Sequence, residues 1–303
     1  MLLSENGMKY FRRIIIIFLL GALLMGIFYL TPVTSYFIKY IIWRWTTDAA
    51  ITEGYARTRG ADIHFVSYGS GQSLLLLHGG LSNRLIWFSQ LPWLVKTGYR
   101  VIMPDTRGHG LSDLGDEELS YRLLASDAIA VLDELNIKQT HVVGWSDGGN
   151  TALILGLYWP QRVLKIVTIS SNFNPAGLVP EVRNEKIEPS KGLSYWFRRL
   201  WTGAGEHLHV LEEKILRMWK RFPKLEPADL GQIAAPTLVI VGEKDMVSIN
   251  HAKLMAAELK MGTLKIVPGG HFTPITRAGR INELISDFLG TDMSLTAAVI
   301  ESE

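Results

Sequence analysis

The chain has 303 residues, of which 48% are hydrophobic and 20% are charged, and its formal net charge is +2. This composition is sufficient for one large domain with a sizeable core, and the near-neutral charge argues against a nucleic-acid partner. Because the chain has no cysteine, disulfides, thiolate metal sites and cysteine nucleophiles are excluded.

A long apolar segment lies near the N-terminus. Residues 14–30 form an uninterrupted apolar run after three basic residues, and with residues 31–33 the run reaches the roughly 20 residues needed to cross a bilayer. The sequence therefore predicts a transmembrane anchor over 14–33, between a cytoplasmic segment 1–13 and a juxtamembrane linker 34–52. The positive charge before the run predicts a single-pass protein whose main domain lies on the non-cytoplasmic side. Cleavage of a signal peptide, followed by secretion, is the alternative.

From residue 53 to residue 290 short apolar strands alternate with helical segments. The predicted strands are, in chain order, Tyr55–Arg59, Ile63–Tyr68, Leu74–Leu77, Val101–Met103, His141–Val143, Ile166–Ile169, Thr237–Val241 and Leu264–Val267. The predicted helices are Ile86–Val95, a helix capped by Ser120 and ending at Leu135, Gly148–Tyr158 and Thr276–Leu289. This alternation is typical of an α/β domain with a doubly wound, mostly parallel sheet.

One stretch interrupts that rhythm. Residues 172–230 separate two predicted strands by far more than an ordinary crossover requires. They contain three prolines and two helix-like segments, Leu193–Trp201 and His207–Phe222. We interpret this stretch as a helical lid inserted into the domain. Residues 291–303 are expected to form a C-terminal tail.

A G-x-S-x-G pentapeptide, Gly144–Gly148, directly follows one predicted strand and precedes a helix. A sharp turn at this point forces Ser146 into a strained backbone conformation, and glycines on both sides let neighbouring backbone pass closely. The serine hydroxyl is then exposed at the N-terminus of a helix, which favours developing negative charge. Ser146 is therefore the candidate nucleophile.

A serine hydroxyl needs a base within hydrogen-bond reach, and the base needs a group that orients it. His271 and Asp245 each follow a predicted strand, and the carboxyl ends of parallel strands meet at one edge of a sheet. His271 is the candidate base and Asp245 the candidate orienting acid, with Glu243 as the alternative acid. A two-glycine loop that ends at Gly80 could present backbone N–H groups to a carbonyl oxygen.

Five motifs, in this order, resemble those of the α/β-hydrolase superfamily over about residues 53–290. They are His78-Gly79-Gly80, Asp105 to Ser112, Gly144 to Gly149, Gly242 to Asp245, and Gly270-His271-Phe272. The resemblance implies that Ser146, Asp245 and His271 form a catalytic triad. It also implies an oxyanion hole formed by the N–H groups of Gly80 and Asp147, with Leu81 as the alternative to Gly80.

The form Gly-Trp-Ser-Asp-Gly-Gly is similar to that of valacyclovirase-like small-ester hydrolases. The resemblance implies an esterase that cleaves carboxylic esters of small or medium size through an acyl-serine. The sharp turn that carries Ser146 is the nucleophile elbow of this superfamily. A serine at this position argues against haloalkane dehalogenase and epoxide hydrolase, which use aspartate there. A lactonase, thioesterase, aminopeptidase or C–C bond hydrolase on the same triad remains an alternative, as does a non-catalytic, membrane-anchored binding protein. No cofactor or metal is expected, the expected partner is a small-molecule ester, and the oligomeric state is open.

Other residues of these motifs have a structural interpretation. His78, Asp105, His109 and Ser112 are expected to hold the shape of their loops. Substrate binding is an alternative role for the Asp147 carboxylate. Five aromatic residues of the insertion are interpreted as packing residues, with a pocket-lining role as the alternative: Tyr195, Trp196, Phe197, Trp201 and Trp219.

Overall fold

The computed structural model of the protein describes residues 32–183 and 189–290. Its contacts divide the chain between Thr47 and Asp48. Before that division the described part is one helix, α1 (Pro32–Thr46). The linker predicted over 34–52 is therefore mostly helical, and the first strand begins at Ile51.

The predicted membrane localisation is wrong. Within the described ranges no helix is long and apolar enough to cross a bilayer. The described helix α1 has 15 residues. It also carries Lys39 and Arg44. The rest of the predicted anchor and the segment before it lie outside the described residues, as does the predicted tail 291–303.

Beyond Asp48 the described strands form one sheet. They are β1 (Ile51–Thr58), β2 (Ala61–Tyr68), β3 (Gln72–Leu77), β4 (Tyr99–Pro104), β5 (Thr140–Trp145), β6 (Val163–Ile169), β7 (Thr237–Gly242) and β8 (Gly262–Val267). Their order across the sheet is β1-β2-β4-β3-β5-β6-β7-β8. The pairs β1–β2 and β2–β4 are antiparallel, and the pairs from β4 to β8 are parallel. The predicted doubly wound, mostly parallel sheet is confirmed.

Burial differs between the centre of the sheet and strand β8. Leu74–Leu77 in the central strand β3 are at most 1% exposed, because helices cover both faces of a parallel sheet. Strand β8 pairs only with β7 among the described strands and keeps exposed positions along its length. The core therefore lies around the middle of the sheet, where the parallel strands end side by side.

The helices beyond Asp48 flank this sheet. They are α2 (Leu91–Lys96), α3 (Tyr121–Glu134), α4 (Asp147–Tyr158), α5 (Pro180–Arg183), α6 (Gly192–Thr202), α7 (Leu208–Arg221), α8 (Pro227–Leu230), α9 (Ile249–Glu258), α10 (Thr273–Thr276) and α11 (Ala278–Leu289). Helix α3 begins where the sequence predicts, because the Ser120 hydroxyl accepts the Leu123 N–H at 3.2 Å.

One helix prediction needs correction, and one helix was not predicted. The helix predicted over Ile86–Val95 is a 3-10 helix, Arg84–Ser89, followed by α2. Pro92 has no N–H to continue the ladder, so the helix is interrupted one turn before it. Sequence analysis also missed α9, whose buried apolar side chains are only Ala252 and Met255, too few to produce a clear helical period.

The insertion, residues 172–230, connects β6 to β7 and contains α6 and α7 in its described part. Two buried charged side chains of α7 hold it. Glu212 accepts hydrogen bonds from the Ser190 N–H and hydroxyl and from Arg198. Lys214 donates to the carbonyls of residues 115–117 in the loop before α3. Helix α7 is therefore fixed both to the insertion and to the main part of the domain.

Candidate active site

Ser146 lies between β5 and α4 with φ 54° and ψ −120°, a strained conformation for a residue with a side chain. The surrounding glycines are required by close backbone contacts. A Cβ on Gly144 would lie 2.2 Å from the Gly148 carbonyl oxygen, and a Cβ on Gly148 would lie 2.0 Å from that of Leu77. The turn at Ser146 therefore tolerates no side chain at either glycine.

The structure brings the three predicted triad side chains together. His271 Nε2 lies 2.9 Å from Ser146 Oγ, and His271 Nδ1 lies 2.8 Å from Asp245 Oδ1. Both distances are within hydrogen-bond reach. The carboxylate accepts the Nδ1–H, which leaves Nε2 free to accept the serine proton. This arrangement is what an activated serine nucleophile requires.

The Asp245 carboxylate is buried and has several donors. Ser170 Oγ donates to Oδ2 at 2.5 Å, and the N–H groups of Gly242 and Val247 donate at 3.1 and 3.2 Å. Burial by itself raises the pKa of Asp245, but the hydrogen bonds and the charge of His271 outweigh burial and lower this pKa below its ordinary value. The carboxylate is therefore ionised at neutral pH.

Sequence analysis missed Ser170. It directly follows β6 with a φ of 56°, and its only sequence signal is its place at the carboxyl end of a predicted strand. Trp145 was also missed, although it belongs to the pentapeptide. Its indole Nε1 donates to the His271 carbonyl at 2.7 Å, so this side chain positions the backbone of the candidate base.

The alternative acid, Glu243, is exposed, and its backbone N–H donates to the Val267 carbonyl. The side chain in contact with His271 is therefore that of Asp245. Within the described ranges no three His, Asp or Glu side chains are grouped so that they could hold a metal ion.

The candidate oxyanion donors lie on either side of Ser146. Asp147 is the first residue of α4, so its N–H has no acceptor within the helix. The Leu81 N–H donates to His109 Nε2 at 3.0 Å, which leaves Gly80 as the better candidate of that pair. A Cβ on Gly80 would lie 2.1 Å from Asp147 Oδ2. The two candidate donors are thus on closely packed segments.

Two buried histidines hold the loop that contains Gly80. His78 Nδ1 donates to the Gly79 carbonyl at 2.8 Å, and its Nε2 accepts the Thr106 N–H at 3.0 Å. Burial lowers the pKa of both His78 and His109, to about 3 for His109. Both imidazoles are therefore neutral at pH 7, consistent with the structural role that the sequence predicts.

The chain is similar to several known proteins. Residues 72–201 match the family model described as alpha/beta hydrolase fold. Serine hydrolase BPHL of Mus musculus is 28% identical over 265 residues, which cover 80% of this chain and 88% of that protein. Epoxide hydrolase 1 of Siraitia grosvenorii is 32% identical over 184 residues, or 60% of this chain and 51% of that protein.

A solved structure titled Est816 as an N-acyl homoserine lactone degrading enzyme is 29% identical and has a TM-score of 0.61. The match covers 78% of this chain and all of that chain. The sheet order, the succession of motifs and these sequence matches all point to one family, and the three relatives named above support a hydrolase. The chain has the α/β-hydrolase fold, and the match of residues 72–201 supports its place in the α/β-hydrolase superfamily.

Proposed function

We propose that this hydrolase is a serine esterase that cleaves carboxylic esters of small or medium size through an acyl-serine. One observation carries the proposal: Asp245, His271 and Ser146 form a continuous hydrogen-bonded chain, with distances of 2.8 and 2.9 Å. Residues 53–290 form the catalytic domain in this proposal.

The proposed reaction has two halves. Ser146 Oγ attacks the ester carbonyl carbon while His271 Nε2 takes its proton, and Asp245 stabilises the imidazolium. The oxyanion of the tetrahedral intermediate accepts hydrogen bonds from the N–H groups of Gly80 and Asp147. The intermediate collapses, and the departing alkoxide takes the proton from His271. A water molecule, deprotonated by His271, then attacks the acyl-serine, and the bond from the acyl carbon to Ser146 Oγ breaks. Ser146 Oγ takes the proton back from His271, and the carboxylic acid is released.

A lactone is the second candidate substrate, because the matched lactone-degrading structure is 29% identical to this chain. A lactone is a cyclic ester, so the same steps open it, with the leaving alcohol still attached to the acyl group. The similarity to an epoxide hydrolase carries less weight, because serine occupies the elbow where, by the family resemblance, those enzymes have aspartate.

We also infer that the insertion acts as a lid. The support is a contact between its helix α7 and the residue after the nucleophile: Trp219 Nε1 donates to the Asp147 carboxylate at 2.8 and 2.9 Å. An element that reaches so close to Ser146 is in a position to limit access of water and substrate.

The test combines a fluorophosphonate probe with esters of graded acyl length and one acyl homoserine lactone. The native protein is expected to be labelled and to hydrolyse short esters, whereas Ser146→Ala is not labelled and loses about a thousandfold or more of its activity. Ser126→Ala, which removes a helix-surface hydroxyl bonded to the Leu123 carbonyl, is the matched control. Retention of more than about a tenth of the activity by Ser146→Ala would reject the mechanism.

A further inference from the structure

The carboxylate of Asp147 is a buried charge immediately after the proposed nucleophile. Its residue is only 6% exposed. Oδ1 accepts the Tyr121 hydroxyl at 2.7 Å, and Trp219 Nε1 donates to Oδ1 at 2.9 Å and to Oδ2 at 2.8 Å. Both oxygens therefore have a protein donor, and one of these donors comes from the insertion.

The same carboxylate also packs against the loop that contains Gly80. A Cβ on Gly80 would lie 2.1 Å from Asp147 Oδ2 and 3.0 Å from Trp219 Cζ2. The carboxylate and the indole together occupy the space beside that glycine. Three separate segments thus meet at this buried carboxylate. They are the turn at Ser146, the loop that contains Gly80, and α7.

We propose that Asp147 and Trp219 form a latch: their hydrogen bonds hold α7 against the loop that contains Gly80. The latch thereby positions the Gly80 and Asp147 N–H groups for catalysis. Both side chains are positioning residues and touch no reacting atom. This inference rests on the proposed function, since it concerns the oxyanion hole of that reaction.

The electrostatics explain why the donors matter. A carboxylate beside an oxyanion hole repels the negative charge that develops on the substrate oxygen, and burial strengthens that repulsion. Donors on both carboxylate oxygens offset part of this charge. Burial raises the pKa of Asp147, and the hydrogen bonds from Trp219 and Tyr121 oppose that rise. Loss of a donor therefore raises the energy of the charged transition state more than that of a neutral bound ester.

The first test compares Trp219→Phe with Trp196→Phe. The first change keeps an aromatic ring but removes the N–H donor, and the second alters a 57% exposed tryptophan of the same insertion. With a short nitrophenyl ester, kcat of Trp219→Phe is expected to fall about tenfold or more, while KM stays within about twofold. Trp196→Phe is expected to behave like the native protein. A kcat for Trp219→Phe within about twofold of native would overturn the latch.

A second comparison separates an effect of the unpaired Asp147 charge from simple loss of structure. Asp147→Asn removes the repelling charge, so the double variant Trp219→Phe with Asp147→Asn is expected to recover at least about threefold of the kcat that Trp219→Phe loses. Tyr121→Phe removes the other donor and is expected to lower kcat severalfold, which keeps the test valid if Trp219→Phe does not fold. No recovery in the double variant, together with a raised KM, would indicate a packing role and reject the proposal.

Failure of the proposed function has a different signature. In that case the native protein neither hydrolyses the esters nor reacts with the fluorophosphonate probe, and the latch is rejected with it. Failure of the latch alone leaves native hydrolysis intact and the Trp219→Phe kcat unchanged.

Discussion

At the scale of single residues, the orientation of His271 depends on how firmly Asp245 is held. Four donors bind this carboxylate: the His271 ring, the Ser170 hydroxyl and the two N–H groups of Gly242 and Val247. Because the pKa of Asp245 lies below its ordinary value, the group is a charged acceptor at neutral pH. It therefore selects the imidazole tautomer with the proton on Nδ1.

Asp245→Asn is expected to lower kcat/KM by about a thousandfold or more, since an amide offers the wrong hydrogen-bonding partner to Nδ1–H. Glu243→Gln is the matched control, because Glu243 is exposed on the same loop, and its kcat/KM is expected to stay within about twofold. Steady-state kinetics on one ester measure both. Equal losses in the two variants would assign the acid differently.

Ser170→Ala is expected to lower kcat by several-fold and the free energy of unfolding by about 1 kcal/mol, because the buried Asp245 Oδ2 loses its hydroxyl donor. Ser171→Ala is the control, since the Ser171 hydroxyl donates only to backbone carbonyls, and its effect on kcat is expected to be smaller. Kinetics and urea unfolding of both variants test this. The role assigned to Ser170 is untenable if the Ser171 variant is the slower enzyme.

At the scale of secondary-structure elements, α7 is the helix that joins the insertion to the active site. Its first half is held by Glu212 and Lys214, and Trp219 near its C-terminal end donates to Asp147. Each of these contacts involves a buried polar group whose loss leaves a partner unsatisfied. The position of the helix is therefore determined by a few polar contacts in addition to apolar packing.

Glu212→Ala is expected to lower the free energy of unfolding by about 1–3 kcal/mol, because the buried N–H and hydroxyl of Ser190 lose their acceptor. The neighbouring Glu213→Ala is expected to cost about 0.5 kcal/mol or less, since Glu213 forms only an exposed ion pair with Arg217. Urea unfolding compares the two variants, and limited proteolysis locates any opening between Ser190 and Thr202. Similar stabilities for both would show that Glu212 does not hold the insertion.

At the scale of the whole molecule, three histidines that are buried or partly buried are neutral at pH 7. His78, His109 and His251 each accept a backbone N–H through Nε2. Burial lowers the pKa of all three, to about 3 for His109 and about 4 for His251. In the unfolded chain a histidine titrates near 6.5. Below that pH the unfolded state binds more protons than the folded state, so stability decreases as pH falls.

The free energy of unfolding is therefore expected to decrease between about pH 6.5 and pH 4, by up to about 1.4 kcal/mol per pH unit for each such histidine. His251→Gln keeps a side-chain hydrogen-bonding group and removes one titrating group, so its decrease with pH is expected to be shallower. The exposed His209 supplies the comparison variant His209→Gln, whose slope is expected to differ from the native one by less than that of His251→Gln. Urea unfolding at several pH values gives the slopes, and identical slopes for all three proteins would refute the argument.

Local sequence patterns determined many of the strands and the positions of the candidate site residues. Apolar runs of strand length predict the central parallel strands, because a buried parallel strand needs apolar residues on both faces. The pentapeptide around Ser146 and the strand-end positions of Asp245 and His271 are also local features. Where local signals conflict or fade, prediction failed: Pro92 interrupts a predicted helix, and α9 has too few apolar positions to be recognised.

Only the tertiary structure decided which distant side chains meet. Ser170 lies 75 positions before Asp245, and Trp219 lies 72 positions after Asp147. Both contacts depend on which strands are neighbours and on how the insertion folds back, and neither leaves a periodic signal in the sequence. A hydrogen bond needs partners within about 3 Å, so a pattern that places a residue at a strand end determines its neighbourhood but not its partner.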